Sequence, residues 1–352
     1  MTGAYYSSEI GMRELDWTGD SAFETFPRLP TSGRTALRVI SGNAITGRRE
    51  FLRAAALTGA GLALARRLPA AAGKSVLVFT KSSGFEHDVV KGIGGRPSIV
   101  DDTVTQIGDK YGFHVGVTKD GRIFDTDQFH TYAAAVFFTT GDLTMLGTDG
   151  KPPMSPEGKK KLLEAIHKGM GFVGIHAAAD TFHPLPDPPD HSNRYIAHGE
   201  QQDPYLKMLG GEFIIHGDNP RLQDADLIVN DPRFPGLEGV ASPVKFNEEW
   251  YSLKDFQPDL HVILSLDTQG MKGACYQRAP YPVTWAHMHG KGRVFYVAMG
   301  DRPENWKNEF FRNLLGGGIR WAIGDVSASV EPNLKQATPG YAEIPPKEPA
   351  QS

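Results

Sequence analysis

The chain has 352 residues, a formal net charge of −4 and a hydrophobic content of 40%. This length is sufficient for one large core or two smaller ones. The slightly acidic balance gives no reason to expect a nucleic acid or an anionic membrane as a partner. With Cys275 as its single cysteine, the chain can form neither an intramolecular disulfide nor a cysteine-based metal cluster.

The first 72 residues predict an export signal that precedes the folded domain. Arg48 and Arg49 come before a weakly apolar run, residues 54–65, and three alanines ending at Ala72 offer a small-residue cleavage site. Residues 48–72 therefore predict a twin-arginine signal peptide, with a short amphipathic helix as the alternative. The run is too short for a stable membrane anchor, so we expect a periplasmic or secreted protein. Residues 1–47 are interpreted as a disordered extension or a start codon assigned too early.

Short apolar runs alternate with helical spacing over the next hundred residues. Strands are predicted at 74–80, 113–118, 132–140 and 172–175, and helices at 97–111 and 156–168. Ser155 and Pro156 mark the start of the second helix as its N-cap and first turn. This alternation predicts an α/β fold with a doubly wound, mainly parallel sheet.

The pattern changes after residue 180. A proline- and histidine-rich loop is expected over 184–204, followed by short strands that form a loop-rich β insertion. Gly290 to Arg293 has the glycines and lysine of a phosphate loop, but it leads into a strand and predicts a hairpin turn. A last helix is expected at 310–323. Residues 73–325 are thus one domain, and the proline-rich residues 326–352 predict a loose tail.

Six short segments resemble, in order and spacing, the trehalose-utilisation (ThuA-like) family over about residues 74–324. They are Gly84-Phe-Glu-His87, Gly174-Ile-His-Ala-Ala178 with Asp180-Thr181, Leu209-Gly-Gly-Glu-Phe213 with His216, Glu248-Glu-Trp-Tyr251, Tyr281-Pro-Val-Thr-Trp285 and Gly290-Lys-Gly-Arg-Val-Phe-Tyr296. The resemblance implies a flavodoxin-like sheet similar to that of class I glutamine amidotransferases. It also implies a carbohydrate ligand, a role in the catabolism of oxidised (3-keto) glycosides and disaccharides, and a sugar oxidoreductase as a partner.

One residue departs from the amidotransferase pattern. Those enzymes carry a nucleophilic cysteine at the turn after the fourth strand, where this chain has His176, and Cys275 lies far along the sequence. Glutamine hydrolysis through a thiolate is therefore not expected. That fold also commonly has a histidine base at a late strand end, where this chain offers Asp301.

His176 is the residue on which the functional prediction depends. At the carboxyl end of a strand, among small residues, it is a candidate general base or metal ligand, with a structural histidine as the alternative. If a helix follows, Asp180 and His183 share its face with His176 and form a candidate site for Zn²⁺ or a similar divalent metal. Pro184 would end that helix near His183. No other cofactor is indicated.

Two further residues are expected to act with His176. His87 follows the first strand, and neighbouring strand ends converge in this architecture. Glu248 and Glu249 point in opposite directions on a strand, so only one can face a pocket, and we expect Glu249 to do so as an acid–base group. His191 and His198 are expected to face solvent.

The remaining candidates would bind a sugar. Asp142, Asp180 and His216 follow predicted strands and offer hydrogen bonds to hydroxyl groups, and four aromatic residues offer flat faces for a pyranose ring: Tyr205, Trp250, Tyr251 and Trp285. Each of the four aromatics has a core position as its alternative. The sequence therefore predicts an enzyme that acts on a sugar by acid–base chemistry. A non-catalytic carbohydrate-binding protein is the main alternative, and a metal-dependent hydrolase of other small molecules is a third.

Overall fold

The computed structural model describes residues 73–184, 188 and 190–347. The predicted N-terminal extension and the twin-arginine segment lie outside these residues. Across the described part of the chain, no helix combines the length and apolar character needed to cross a membrane.

Eleven strands are present among the described residues. In chain order they are β1 (Ser75–Phe79), β2 (His114–Thr118), β3 (Ala134–Phe137), β4 (Gly171–Ile175), β5 (Glu212–His216), β6 (Leu222–Val229), β7 (Val244–Glu249), β8 (Tyr251–Lys254), β9 (His261–Asp267), β10 (Tyr281–His289) and β11 (Gly292–Val297).

Nine of these strands form one mixed sheet in the order β2-β1-β3-β4-β11-β10-β9-β6-β7. The first five strands are parallel to one another, and the antiparallel half of the sheet begins where β11 pairs with β10 in a hairpin. Every residue of β3 and β4 is buried, as expected where both faces of a sheet are covered. The predicted α/β fold is confirmed, and so is the hairpin turn at Gly290 and Lys291.

Five helices flank the sheets in the described residues: α1 (Ile99–Tyr111), α2 (Pro156–Lys168), α3 (Pro204–Leu209), α4 (Glu309–Ala322) and α5 (Leu334–Ala337). Ser98 caps α1 in a capping box with Asp101, and Ser155 caps α2 where the sequence predicted it. α1 packs against α4, and α4 contacts β4 and β11.

The last strands of the sheet lead into the β insertion. β7 ends at Glu249, and after Trp250 the chain enters β8, which pairs with β5 in a separate two-stranded sheet. Glu249 therefore lies where the chain leaves one sheet for the other. This junction faces the carboxyl ends of the parallel strands.

Residues 326–347 are not the loose tail that the sequence predicted. The Asn333 side chain bonds to both backbone groups of Val262 in β9, Leu334 is buried, and Glu343 accepts a bond from the Ala279 backbone. The prediction failed because isolated anchors hold this segment, and they have no periodic apolar pattern.

Candidate active site

His176 begins a 3-10 turn that follows β4 and ends at Asp180. Its backbone has a φ of 44°, which is uncommon for a residue other than glycine. The predicted grouping of Asp180 and His183 with His176 required an α-helix after β4. The segment is a short 3-10 turn, so the three residues do not share one helix face.

The imidazole of His176 is fully buried and held in one orientation. Its Nδ1 lies 2.7 Å from the Ala298 carbonyl oxygen, which can only accept, so Nδ1 carries the proton and donates it. The Tyr251 ring packs on the imidazole with centroids 4.0 Å apart. The other nitrogen, Nε2, has no hydrogen-bond partner among the described residues. It is left to act as a base or a ligand.

His87 lies beside His176, as the sequence predicted. The two rings meet edge to face, with centroids 5.3 Å apart. His87 is also buried, its Nδ1 has no hydrogen-bond partner in the described chain, and its Nε2 is 3.4 Å from the Tyr251 hydroxyl. Burial, together with the neighbouring His176, lowers the pKa of His87 to about 3. His87 is therefore neutral at ordinary pH.

Glu249 faces the His176 imidazole, with Oε1 3.5 Å from Nε2, close enough for a charge interaction without a hydrogen bond. Arg221 binds the other carboxylate oxygen. Burial alone would raise the pKa of Glu249, but His176, His216 and Arg221 outweigh it and hold the pKa at about 2. Conversely, burial would lower the pKa of His176, and the Glu249 carboxylate raises it above its ordinary value.

Asp301 completes this group of side chains. It follows β11, next to β4 in the sheet, and its Oδ1 lies 4.0 Å from His87 Nε2 and 3.2 Å from the Arg221 guanidinium. Burial raises the pKa of Asp301. The sequence indicates an acidic residue, Asp301, at a late strand end, but it does not predict that Asp301 belongs to the site.

Glu248 points away from this group, in agreement with the preference for Glu249. Its buried carboxylate accepts hydrogen bonds from the Gly300 backbone at 2.8 Å and from the Asn305 amide at 2.9 Å. It also accepts one from the Glu249 backbone. Glu248 thus fixes the position of the loop that carries Asp301.

Above the group lies a cavity of about 480 Å³. Five of the predicted site residues line it: His87, Asp180, His216, Glu249 and Tyr251. His176 lies behind Glu249 and Tyr251 and is not part of the wall. The cavity is a concave mixture of apolar and polar groups, as is usual for a small-molecule site.

Several cavity residues were not predicted from the sequence. They are Phe85, Phe213, Arg194, Asp218 and Arg221. His191 is exposed, as we expected, and also lines the cavity. Phe85 could have been predicted from the sequence, because it lies in the same loop as His87. The two arginines come from irregular segments, where no periodic pattern indicates direction.

The predicted sugar-stacking role of three aromatic residues is wrong. Tyr205, Trp250 and Trp285 are completely buried, and their polar atoms bond to the backbone oxygens of Ala178, Gln223 and Leu209 respectively. Asp142 does not line the cavity either, because its carboxylate accepts bonds from the backbone and hydroxyl groups of Thr144. All four stabilise the fold.

The predicted metal set of His176, Asp180 and His183 is also not brought together. His183 instead bridges two carboxylates, with Nε2 2.6 Å from Asp180 and Nδ1 3.2 Å from Glu212. The group that does converge around His176 comprises His87, Glu249 and Asp301, and each of the four residues offers one ligand atom within 4.8 Å of the others.

Glu212 is the centre of a second buried network. It binds His183 and His198, and Lys254 Nζ lies 3.3 Å from it. Burial would raise the pKa of Glu212, but His183, Lys254 and His198 together hold it at about 2. The expectation that His198 faces solvent is therefore wrong.

These observations define an α/β protein with a large mixed, amidotransferase-like sheet and a buried histidine directly after its fourth strand. The chain belongs to the ThuA family, described as trehalose utilisation, whose family model matches residues 75–322. No curated protein sequence matches the chain.

Two solved structures support the fold. A putative ThuA-like protein from Bacteroides uniformis is 20% identical, covers 76% of this chain and 98% of its own, and has a TM-score of 0.51. A similar putative ThuA-like protein from Parabacteroides merdae is 18% identical, covers 76% and 97% respectively, and has a TM-score of 0.50.

Proposed function

We propose that this protein is an enzyme of sugar catabolism that acts on a sugar or an oxidised (3-keto) glycoside or disaccharide by acid–base chemistry. The observation that carries the proposal is the buried and unpartnered Nε2 of His176, held beside Glu249 and His87 at the floor of the cavity. A buried polar atom without a partner is costly, and such atoms are concentrated at functional sites.

The cavity wall supports a carbohydrate as the ligand. Asp180 and Arg194 lie 3.4 Å apart in the wall, and so do His216 and Asp218. Hydroxyl groups at several positions of a ring would therefore find hydrogen-bond partners. Phe85 is 61% exposed and supplies an apolar face for the C–H groups of a sugar ring. The family's description, trehalose utilisation, agrees with this class of ligand.

A 3-keto sugar needs little more than one base and one acid. The carbonyl at C3 acidifies the C2 proton, so a base can take that proton while the electron pair moves onto the C3 oxygen. The resulting enolate can expel the substituent at C1, which leaves with a proton from an acid. In this proposal the ionised Glu249 takes the C2 proton and then gives it to the leaving oxygen, while His176 orients Glu249 from behind. His87 is neutral and donates a hydrogen bond to the C3 oxygen.

Turnover of 3-keto-trehalose tests the proposal. We expect the wild type to consume it, and His176→Ala and Glu249→Gln to lose at least about 100-fold in rate, as is usual for removal of an acid–base group. His130→Ala is the control, because His130 is exposed and precedes the amino end of β3. Equal rates for the wild type and both site variants, with all proteins folded, would overturn the assignment.

The main alternative is a carbohydrate-binding protein without activity. Trp250 and Trp285, two of the predicted stacking residues, are buried, so Phe85 is the aromatic residue on which ligand binding would depend. Binding of the sugar with no consumption by the wild type would favour this alternative.

We further propose, from the twin-arginine segment at 48–72, that the protein is exported and receives its oxidised substrate from a sugar oxidoreductase.

A further inference from the structure

We propose that His87, His176, Glu249 and Asp301 form a binding site for one divalent transition-metal ion. The inference concerns the same cavity floor as the proposed function, but metal binding is measured without a sugar, so either can fail alone. Three of the residues lie in the segments that follow β1, β4 and β11, and Glu249 is the last residue of β7. Their ligand atoms converge within 4.8 Å of one another.

The spacing of these atoms is close to that of a filled site. Four ligands at the usual zinc distances lie about 3.4 Å from each other in a tetrahedron. Nε2 of His176 and Oε1 of Glu249 are already 3.5 Å apart, and Nε2 of His87 and Oδ1 of Asp301 are 4.0 Å apart. The other pairs of ligand atoms lie within 4.8 Å, so they would draw closer together around a bound ion.

His176 has the support that a metal-binding histidine usually requires. The Ala298 carbonyl accepts the Nδ1 proton of His176, which leaves Nε2 as the donor atom. A bond from the second ring nitrogen to a carbonyl or carboxylate is the usual support for a metal-binding histidine. Glu248 gives similar support to Asp301 by fixing Gly300, its neighbour.

Comparison with the second buried network strengthens the inference. His198, Glu212 and Asp255 also converge, but Lys254 Nζ lies among them, 3.0 Å from His198 and 2.8 Å from Asp255. That network contains its own buried cation. Beside the four proposed ligands the cationic side chain is that of Arg221. It approaches from the cavity and leaves His176 Nε2 and Glu249 Oε1 facing one another.

Arg221 is the strongest argument against a metal, because it binds Glu249 and Asp301. It is not enclosed in the group, since its side chain is 46% exposed and can turn into the cavity. A metal would therefore compete with Arg221 for carboxylate oxygens of Glu249 and Asp301. It would not need to displace a buried side chain. Removing the guanidinium should strengthen metal binding if the group is a metal site.

The chemistry of the ligands indicates the kind of ion. Two imidazoles and two carboxylates suit Zn²⁺ or a similar first-row divalent ion, whereas Mg²⁺ and Ca²⁺ prefer sites made of oxygen atoms alone. As a metal ligand, Glu249 would not be free to take a proton. A metal at this position would instead supply a metal-bound water as the base, or polarise the carbonyl of the sugar.

The test is calorimetric titration of Zn²⁺ into the full chain after treatment with a chelator and dialysis. We expect one equivalent to bind the wild type, and Mg²⁺ in excess not to compete. His87→Ala and Glu249→Gln should bind at least about 100-fold more weakly, His130→Ala should match the wild type, and Arg221→Gln should bind more tightly. The inference is overturned if the wild type binds no Zn²⁺, or if His87→Ala and Glu249→Gln both keep the wild-type affinity.

Discussion

Nε2 of His176 lies 3.5 Å from Oε1 of Glu249, while Nδ1 of the same ring donates to the Ala298 carbonyl at 2.7 Å. The backbone therefore aims the free nitrogen of His176 at a carboxylate in the cavity wall. This relationship links the turn after β4 to the end of β7, which are more than 70 residues apart in the sequence.

The first prediction concerns the charge of this pair. Glu249→Gln preserves the shape of the side chain but removes the carboxylate that raises the pKa of His176. Burial remains and lowers the pKa, while Asp301 and Glu248 still raise it, so we expect the His176 pKa to fall from its value in the wild type. Titration of the histidine resonances by NMR in chelator-treated protein measures the change. An unchanged His176 pKa would show that the two side chains do not interact in solution.

The second prediction concerns Phe85, which lines the cavity and is largely exposed. Phe85→Ala should raise KM for a 3-keto disaccharide about tenfold, equivalent to about 1.4 kcal/mol of binding, because a flat apolar contact is lost. Phe85→Tyr should remain close to the wild type. The free energy of unfolding should change little in either variant.

Trp285→Phe is the matched control for Phe85. Trp285 is buried and donates to the Leu209 carbonyl, so the substitution should reduce the free energy of unfolding in urea and leave KM unchanged. The loss should be smaller than the about 3–5 kcal/mol of a truncation to alanine. If Trp285→Phe raised KM and Phe85→Ala did not, the assignment of the cavity wall would be wrong.

The fold was largely predictable because its signals are local. Ser155 and Pro156 mark the start of α2, and the apolar run before His176 is short and uninterrupted, so helix and strand follow from neighbouring residues. The site was predictable only where a strand end places a residue, as for His87 and His176. Arg221 and Phe213 could not be assigned because their partners are distant in sequence.

The predicted roles of the buried aromatic residues were wrong for a different physical reason. Trp285 lies in β10, where both faces are covered and nearly every residue is buried. No alternation of polar and apolar residues then tells which side chains meet a cavity. His183 was misassigned because the partner that turns it away from His176 is Glu212, which belongs to the next strand of the chain.

The third prediction concerns stability in acid. The pKa of Glu212 is about 2 in the folded protein, below the ordinary value of 4.5, so its contribution to stability is present above pH 4.5 and lost as the pH falls towards 2. The groups facing it are His183, His198 and Lys254. Glu212→Gln should reduce the free energy of unfolding near pH 6 and flatten its dependence on pH between about 4.5 and 2. Urea denaturation across this range is the measurement, and an unchanged slope would contradict the account.

The fourth prediction concerns Glu248, which positions the Asp301 loop without lining the cavity. Glu248→Gln replaces one acceptor oxygen with an amide group, so at least one of the donors from Gly300, Asn305 and Glu249 loses its partner. We expect a loss of about 1–3 kcal/mol in the free energy of unfolding. Zn²⁺ affinity should fall as well, because Asp301 is no longer fixed. A destabilised variant with wild-type Zn²⁺ affinity would show that Glu248 supports the fold alone.

Exchange of the C2 hydrogen of 3-keto-trehalose with solvent, followed by NMR in D₂O, tests the central claim most directly. It reports proton abstraction itself, whatever step follows. We predict that the wild type incorporates deuterium at C2 or in the product derived from it, that His130→Ala does the same, and that His176→Ala and Glu249→Gln do so at least about 100-fold more slowly. Consumption of the sugar without deuterium at that carbon, or equal incorporation by the wild type and both site variants, would contradict acid–base chemistry at His176 and Glu249.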